Sequence, residues 1–418
     1  MLKFAPIVLA VILCISNFGF INFGDRSEKK IHVAQTQAAA VDELYDTNEE
    51  IVPREEKILR LCWDIVPGAV KYEIFIEGET FYSYTNGIEL PVKNLNAKFQ
   101  VNALSLEGTT LEKKLPIVAL DTNPNSPRTT TEFDKMNYPP IYPVYSWIPT
   151  SGADYYEIEL IKDGKIVRRY FTHSKEQDDD FDFYDKQPVL DEGEYFWRLR
   201  AFTADGRPLT RWSEKNSANS FTVKHQIRFC ALGDSITHGG GSISVPPSTV
   251  IYNWETYCAI PIKNLGRSGD TTAEILERFD NDVLPFRPEI LFIMAGVNDY
   301  RANIGGRESV ENLAALEYKC EQNGIKPVFL TPTPLNPAQI QKVNFIEVPP
   351  ADWQENRRII CDWVRSRKYF IDVNEKLTDD KGNLIETLSI DGLHPDADGK
   401  RFIGEAVAAW LDKYLNLK

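Results

Sequence analysis

Between residues 226 and 418 the chain alternates short apolar runs with amphipathic ones, and few folds accept that order. The runs Ile227–Leu232, Pro261–Leu265, Ile290–Ala295, Pro327–Leu330 and Tyr369–Val373 have the length and apolar content of buried strands. Val310, Leu313, Leu316 and Cys320 recur at helical spacing, as do Ile403, Ala406, Val407, Trp410, Leu411 and Tyr414. Strands taking turns with helices predict a parallel sheet covered on both faces, because parallel neighbours need a crossover of helix length. In such sheets the functional groups gather outside the carboxyl ends of the strands.

Four polar clusters fall at those ends. The first strand runs into Gly233-Asp234-Ser235-Ile236-Thr237 and the second into Gly266-Arg267-Ser268-Gly269-Asp270. The third runs into Gly296-Val297-Asn298-Asp299, and Asp391-Gly392-Leu393-His394-Pro395 precedes the closing helix. Together they offer a hydroxyl, an imidazole, a carboxylate and amide donors. The four blocks, in this order, resemble the SGNH (GDSL) hydrolase family over the last ~190 residues. The resemblance implies a flavodoxin-like three-layer α/β/α fold and ester hydrolysis through an acyl-serine. It implies Ser235 as nucleophile, His394 as base and Asp391 as its orienter. The Ser235 N–H, the Gly269 N–H and the Asn298 side-chain amide are the implied oxyanion hole.

Chemistry supports these roles separately. A serine hydroxyl is a poor nucleophile until a neighbouring base takes its proton. Imidazole titrates near neutrality, and His394 can return the proton to a leaving alcohol. Asp391 lies three residues away on the same loop, within reach of the other ring nitrogen. Donors aimed at the developing oxyanion contribute about 3–4 kcal/mol each. A neutral amide at Asn298 suits that task, and a carboxylate there would repel the anion.

Asp234, His238, Tyr252 and Trp254 are expected to contact substrate. His238 is read as a rim residue near Ser235 and an outside candidate for the base, with Gly239-Gly240-Gly241 as a flexible lip. Tyr252, Trp254 and Tyr257 are read as aromatic walls for an acceptor, against the alternative of helix packing. His238-Gly239-Gly240-Gly241 also resembles the oxyanion loop of α/β-hydrolase lipases, but that fold needs a Gly-x-Ser-x-Gly elbow downstream and none follows.

The half before residue 226 has period-two strands and an internal repeat. Leu61-Cys62-Trp63, Pro67-Gly68-Ala69 and Tyr72-Glu73-Ile74 return as Tyr145-Ser146-Trp147, Ser151-Gly152-Ala153 and Tyr156-Glu157-Ile158. Short strands separated by turn signals predict β-sandwiches. The two copies resemble fibronectin type III modules, at 51–122 and 137–224, ahead of a hydrolase domain at 226–418. Asp178-Asp179-Asp180-Phe181-Asp182 has the residues of a calcium loop, but acidic runs in loops are more often solvated, so no metal and no cofactor is implied.

Sixty-one acidic against 47 basic side chains exclude nucleic acid as a natural partner. Phe4–Ile21 follows a short basic start, the pattern of a signal peptide or N-terminal anchor over 1–23 with a linker at 24–50. The expected location is secreted, periplasmic or cell-surface. Six cysteines without C-x-x-C spacing are neither a disulfide framework nor a zinc site. The expected function is an exported serine esterase that deacetylates a carbohydrate, with polysaccharide or cell-surface contact through the sandwiches. Two alternatives stand: a lysophospholipase or thioesterase, and a surface polymer-binding protein whose hydrolase domain is idle.

Overall fold

The computed structural model describes residues 50–173, 181–241, 245–343 and 347–416. The expected signal or anchor, the linker up to residue 49 and the Asp178–Asp180 run lie outside the described residues. Among the described residues no helix is long and apolar enough to cross a membrane.

The chain forms two compact units whose boundaries interleave. Among the described residues, one holds those up to Asp134, Tyr145–Phe183 and Gly193–Thr222; the other holds Lys135–Val144, Tyr184–Glu192 and those from Val223 onward. The two repeat copies share one unit, and two stretches assigned to the second copy belong with the C-terminal unit. Strand spacing along a sequence does not reveal which core a connecting segment packs on.

In the N-terminal unit, β1 (Lys57–Cys62), β4 (Gly87–Val92) and β7 (Ala119–Asp121) form one antiparallel sheet, in the order β4-β1-β7. A second sheet has the order β3-β2-β5-β6, from β2 (Lys71–Ile76), β3 (Glu79–Ser83), β5 (Phe99–Leu104) and β6 (Thr110–Glu112). Leu59, Leu61, Trp63, Tyr72, Ile74 and Val101 meet in one core. The second copy pairs β8 (Val144–Ser146) with β11 (Asp182–Tyr184). It also orders β9 (Tyr155–Lys162), β10 (Lys165–His173), β12 (Gly193–Phe202) and β13 (Ser220–Val223) as β10-β9-β12-β13.

The repeat holds at atomic detail. Trp63 and Tyr72 rings stand 5.1 Å apart at 58°, and Trp147 and Tyr156 stand 5.1 Å apart at 56°. The Tyr72 hydroxyl accepts the Val66 N–H at 3.1 Å, and the Tyr156 hydroxyl accepts the Thr150 N–H at 2.8 Å. Gly68 and Gly152 turn the chain at φ +81° and +83°, which a side-chain-bearing residue rarely adopts.

In the C-terminal unit all five expected strands form, as β14 (Phe229–Gly233), β15 (Lys263–Gly266), β16 (Ile290–Met294), β17 (Lys326–Leu330) and β18 (Phe370–Ile371). They are parallel, in the order β15-β14-β16-β17-β18, the flavodoxin-like 2-1-3-4-5 arrangement. The helices are α1 (Ser235–His238), α2 (Thr272–Asp282), α3 (Val297–Arg301), α4 (Gly306–Gln322), α5 (Pro337–Val343), α6 (Trp353–Arg365) and α7 (Ala397–Asn416). Phe292 of β16 meets Trp410 of α7, and Phe329 of β17 meets Trp363 of α6. Phe329 is in register with Ile293, the next residue after Phe292, so the two aromatics point to opposite faces. Helices α6 and α7 therefore cover opposite sides of the sheet, giving three layers.

Strand β15 is an edge strand, and an uncovered edge invites foreign pairing. The segment around Ile141 covers it. Ile141 donates its N–H to the Asn264 carbonyl at 3.1 Å, and buried Lys263 donates to the Pro139 carbonyl at 2.8 Å. The five described cysteines, Cys62, Cys230, Cys258, Cys320 and Cys361, are free and buried, as small apolar groups are.

Candidate active site

Register sets the site. Gly233 at the end of β14 pairs with Gly266 on one side and Met294 on the other, so three strand ends stand level. Ser235 opens α1 directly beyond β14, flanked by the Gly269 loop and by α3 with Asn298. Its Oγ lies 2.9 Å from Nε2 of His394, and Nδ1 of His394 lies 2.7 Å from Oδ2 of Asp391. The other Asp391 oxygen accepts the N–H groups of Leu393 and His394 at 2.9 and 2.8 Å. Burial opposes the charge on Asp391, but the facing His394 ring and these bonds outweigh it and hold the carboxyl below its ordinary value. An ionised Asp391 keeps the proton on Nδ1, leaving Nε2 to accept from the Ser235 hydroxyl.

The loop carrying this pair is pinned. Ser389 donates its hydroxyl to the His394 carbonyl at 2.8 Å, and Gln339 of α5 donates to the Ser389 carbonyl at 2.6 Å. Gly392, at φ +80°, passes so close to Asn336 that a Cβ would sit 2.6 Å from its carbonyl oxygen. Asn298 is oriented at both ends of its amide. Nδ2 donates to the Asp270 carbonyl at 2.9 Å, and Oδ1 accepts from Arg301 at 3.3 Å. Gly269 is exposed at φ +90°, with nothing within 4 Å of where a Cβ would stand.

Residues 231–402, which contain all of these groups, match the GDSL-like lipase/acylhydrolase family. The C-terminal domain is a GDSL-like lipase/acylhydrolase domain. It is of the serine-hydrolase type. A stretch of 82 residues is 37% identical to an uncharacterized lipoprotein, YqeF, of Bacillus subtilis, covering 18% of this chain. The match spans about a third of that relative, 34% of its length. Among solved structures, the domain is similar to a lipase/acylhydrolase from Enterococcus faecalis at 22% identity (45% of this chain, 96% of that one, TM-score 0.37). It is similar to a GDSL-like lipase from Bacteroides thetaiotaomicron at 22% identity (46% and 91%, TM-score 0.36). A Geobacillus acetyl-xylooligosaccharide esterase mutant is 19% identical (44% and 94%, TM-score 0.33).

Within the GDSL domain the four expected substrate contacts are placed differently. Asp234 is fully buried and caps α1, accepting the Ile236 N–H at 3.0 Å; burial pushes its carboxyl up to about 7. Tyr252 and Trp254 are 0% and 1% exposed, on 3-10 turns packed under α7, and have no surface to offer a ligand. His238 is 2% exposed with both ring nitrogens occupied, one by the Tyr142 carbonyl at 2.7 Å and one by the Ser268 hydroxyl at 2.8 Å. It is neither a rim residue nor a base for Ser235. Gly239, Gly240 and Gly241 are buried, and a Cβ on any of them would come within 2.7 Å of Asn253, Val245 or Tyr252. They are a packed turn, not a lip.

Sequence reasoning missed three buried groups of the C-terminal unit. Lys400 donates to the Ile236 carbonyl at 2.6 Å, directly beneath the Ser235 turn. It sits on the same helical stripe as Ile403, Val407 and Leu411, and a charge on an apolar stripe was the available signal. Arg278 of α2 joins the carbonyls of Gly233 and Leu265 to Asp270 and Asp282. Tyr142 left no local signal, because it lies ninety residues ahead of the first block.

Proposed function

We propose that the GDSL domain is a carboxylic ester hydrolase. The Ser235 hydroxyl attacks the ester carbonyl while its proton passes to Nε2 of His394. The imidazolium, held by Asp391, gives that proton to the leaving alkoxide, and an acyl-serine remains. Water then attacks the acyl carbon, His394 takes the water's proton and returns it to Ser235, and the acid leaves. The N–H groups of Ser235 and Gly269 and the second Nδ2 hydrogen of Asn298 hold the oxyanion in both halves. The observation that carries this reading is the unbroken chain of hydrogen bonds from Ser235 through His394 to Asp391.

The proposed substrate is an acetylated carbohydrate, and the repeated strand modules are proposed to be fibronectin type III-like and to contact a polysaccharide or cell surface. The apolar N-terminal run and the lipoprotein relative support export. The test is turnover of p-nitrophenyl acetate, octanoate and palmitate, with acetylated xylan and lysophospholipid alongside. Ser235→Ala abolishing turnover, with acetyl preferred over long chains, supports the proposal. Equal rates for variant and parent overturn it, and a long-chain preference replaces the carbohydrate with a lipid.

A further inference from the structure

We propose that Tyr142 is a positioning residue for the Gly269 loop, so that the hydrolase site extends to a segment outside the family match. This rests on the proposed ester hydrolysis, in which Gly269 offers its N–H to the oxyanion.

Gly269 has little of its own to hold it. It is exposed, carries no side chain and touches nothing where a Cβ would be. Its direction is therefore set by its two neighbours, Ser268 and Asp270. Tyr142 reaches both, by separate routes.

The first route starts at its carbonyl. A carbonyl oxygen only accepts, so Nε2 of His238 must carry the proton and donate to it, at 2.7 Å. That fixes the tautomer. Nδ1 of His238 is then an acceptor, and it takes the Ser268 hydroxyl at 2.8 Å and the Ser268 N–H at 3.3 Å. The second route starts at the phenol, which donates to Oδ2 of Asp282 at 2.7 Å. The same oxygen accepts from Nη1 of Arg278 at 2.8 Å, and Nε of Arg278 donates to Oδ2 of Asp270 at 2.5 Å. Arg267 and Asn298 add direct bonds to Asp270. Among the described residues, the side chain and N–H of Ser268 bond to His238 alone.

Tyr142 is itself well placed to act as an anchor. It is 3% exposed, and the guanidinium carbons of Arg267 and Arg278 stand 5.6 and 5.7 Å from its ring centroid. Its neighbour Ile141 is bonded to the edge strand β15, whose carboxyl end leads into the Gly269 loop.

The test uses the full chain. Tyr142→Phe keeps the ring and the carbonyl and removes the phenol route. His238→Leu cuts the carbonyl route, and His238→Gln offers a donor and an acceptor again. The expected result with p-nitrophenyl acetate is a kcat lower by about tenfold in Tyr142→Phe and His238→Leu, with KM within twofold. The midpoint of the pH–rate profile stays put, because Asp391 and His394 are untouched, and His238→Gln recovers most of the loss. Rates are taken well below each variant's melting temperature. A kcat within twofold of the parent in both variants, a loss carried by KM, or a moved pH midpoint overturns the proposal. Hydrogen–deuterium exchange reads the same relationship without substrate: exchange across 267–270 rises about tenfold in both variants while the 391–394 loop is unchanged. Unchanged exchange at 267–270 overturns it. A parent whose turnover survives Ser235→Ala refutes the esterase reading instead, and the exchange result still decides the anchoring.

Discussion

Asp391 grips His394 twice, once at the ring through Oδ2 at 2.7 Å and once at the backbone N–H through Oδ1 at 2.8 Å. One carboxylate thus fixes both the ring's tautomer and the loop that carries it. Asp391→Asn keeps the shape and one acceptor, but its amide hydrogens face Nδ1 and favour the wrong tautomer. The expected loss is about 10³–10⁴-fold in kcat with KM little changed, read by steady-state turnover of p-nitrophenyl acetate. A loss below tenfold removes Asp391 from the proposed role.

Two glycines, Gly266 at the end of β15 and Gly269 on the loop beyond it, separate packing from chemistry. A Cβ on Gly266 would stand 2.3 Å from the His238 backbone nitrogen, which cannot move aside. Gly266→Ala is expected to cost about 3 kcal/mol or more in urea unfolding. Gly269→Ala meets no neighbour but must hold φ +90°. It is expected to cost about 1–2 kcal/mol and to lower kcat about tenfold by turning the N–H. Equal stabilities for the two variants contradict this account of the loop.

His238 gives a pH prediction. Burial first, then the charges of Arg278, Lys400 and Arg267, hold it at about 4, against 6.5 when unfolded, although its bond to Tyr142 pulls the other way. A depressed histidine contributes stability that is present above pH 6.5 and lost as pH falls toward 4, because the unfolded chain binds the proton first. The size is on the order of 3 kcal/mol. Asp234 and Glu255, pushed up to about 7 by burial, slope the opposite way over the same range. The difference between parent and His238→Gln isolates the histidine. Melting curves between pH 7 and pH 4 should show the parent losing more than the variant, and parallel curves would count against a neutral buried His238.

The repeat makes a paired prediction. Tyr72→Phe and Tyr156→Phe each strand one backbone N–H, that of Val66 or Thr150. Each is expected to cost about 1–3 kcal/mol in urea unfolding, with Tyr156 the larger because its bond is buried rather than part-buried. A stabilised variant of either kind contradicts the shared geometry.

Much of this molecule can be read from local chemistry. The five strands of the C-terminal sheet are uninterrupted apolar runs, and their ends differ from expectation by a few residues, where pairing rather than propensity decides the last bond. That Ser235, Asp391 and His394 could come together was legible because each sits in a short polar block beyond a strand end or before the closing helix. The Trp–Tyr repeat was legible because both copies need the same turn between the same two strands.

Asp234, His238, Tyr252 and Trp254 misled because a polar or aromatic side chain beside a reactive block looks alike whether it faces outward or inward. Their burial depends on what covers them, which is α7 for Trp254 and the Tyr142 carbonyl for His238. The sequence by itself determined the period of each element and the chemical groups at the strand ends, since both follow from side chains a few residues apart. Only the tertiary structure decided that Lys135–Val144 packs with the C-terminal sheet and that Lys400 underlies Ser235. Those contacts join residues about 100 to 160 positions apart, and the free energy that selects them comes from burial and hydrogen bonds that exist only once the chain has closed.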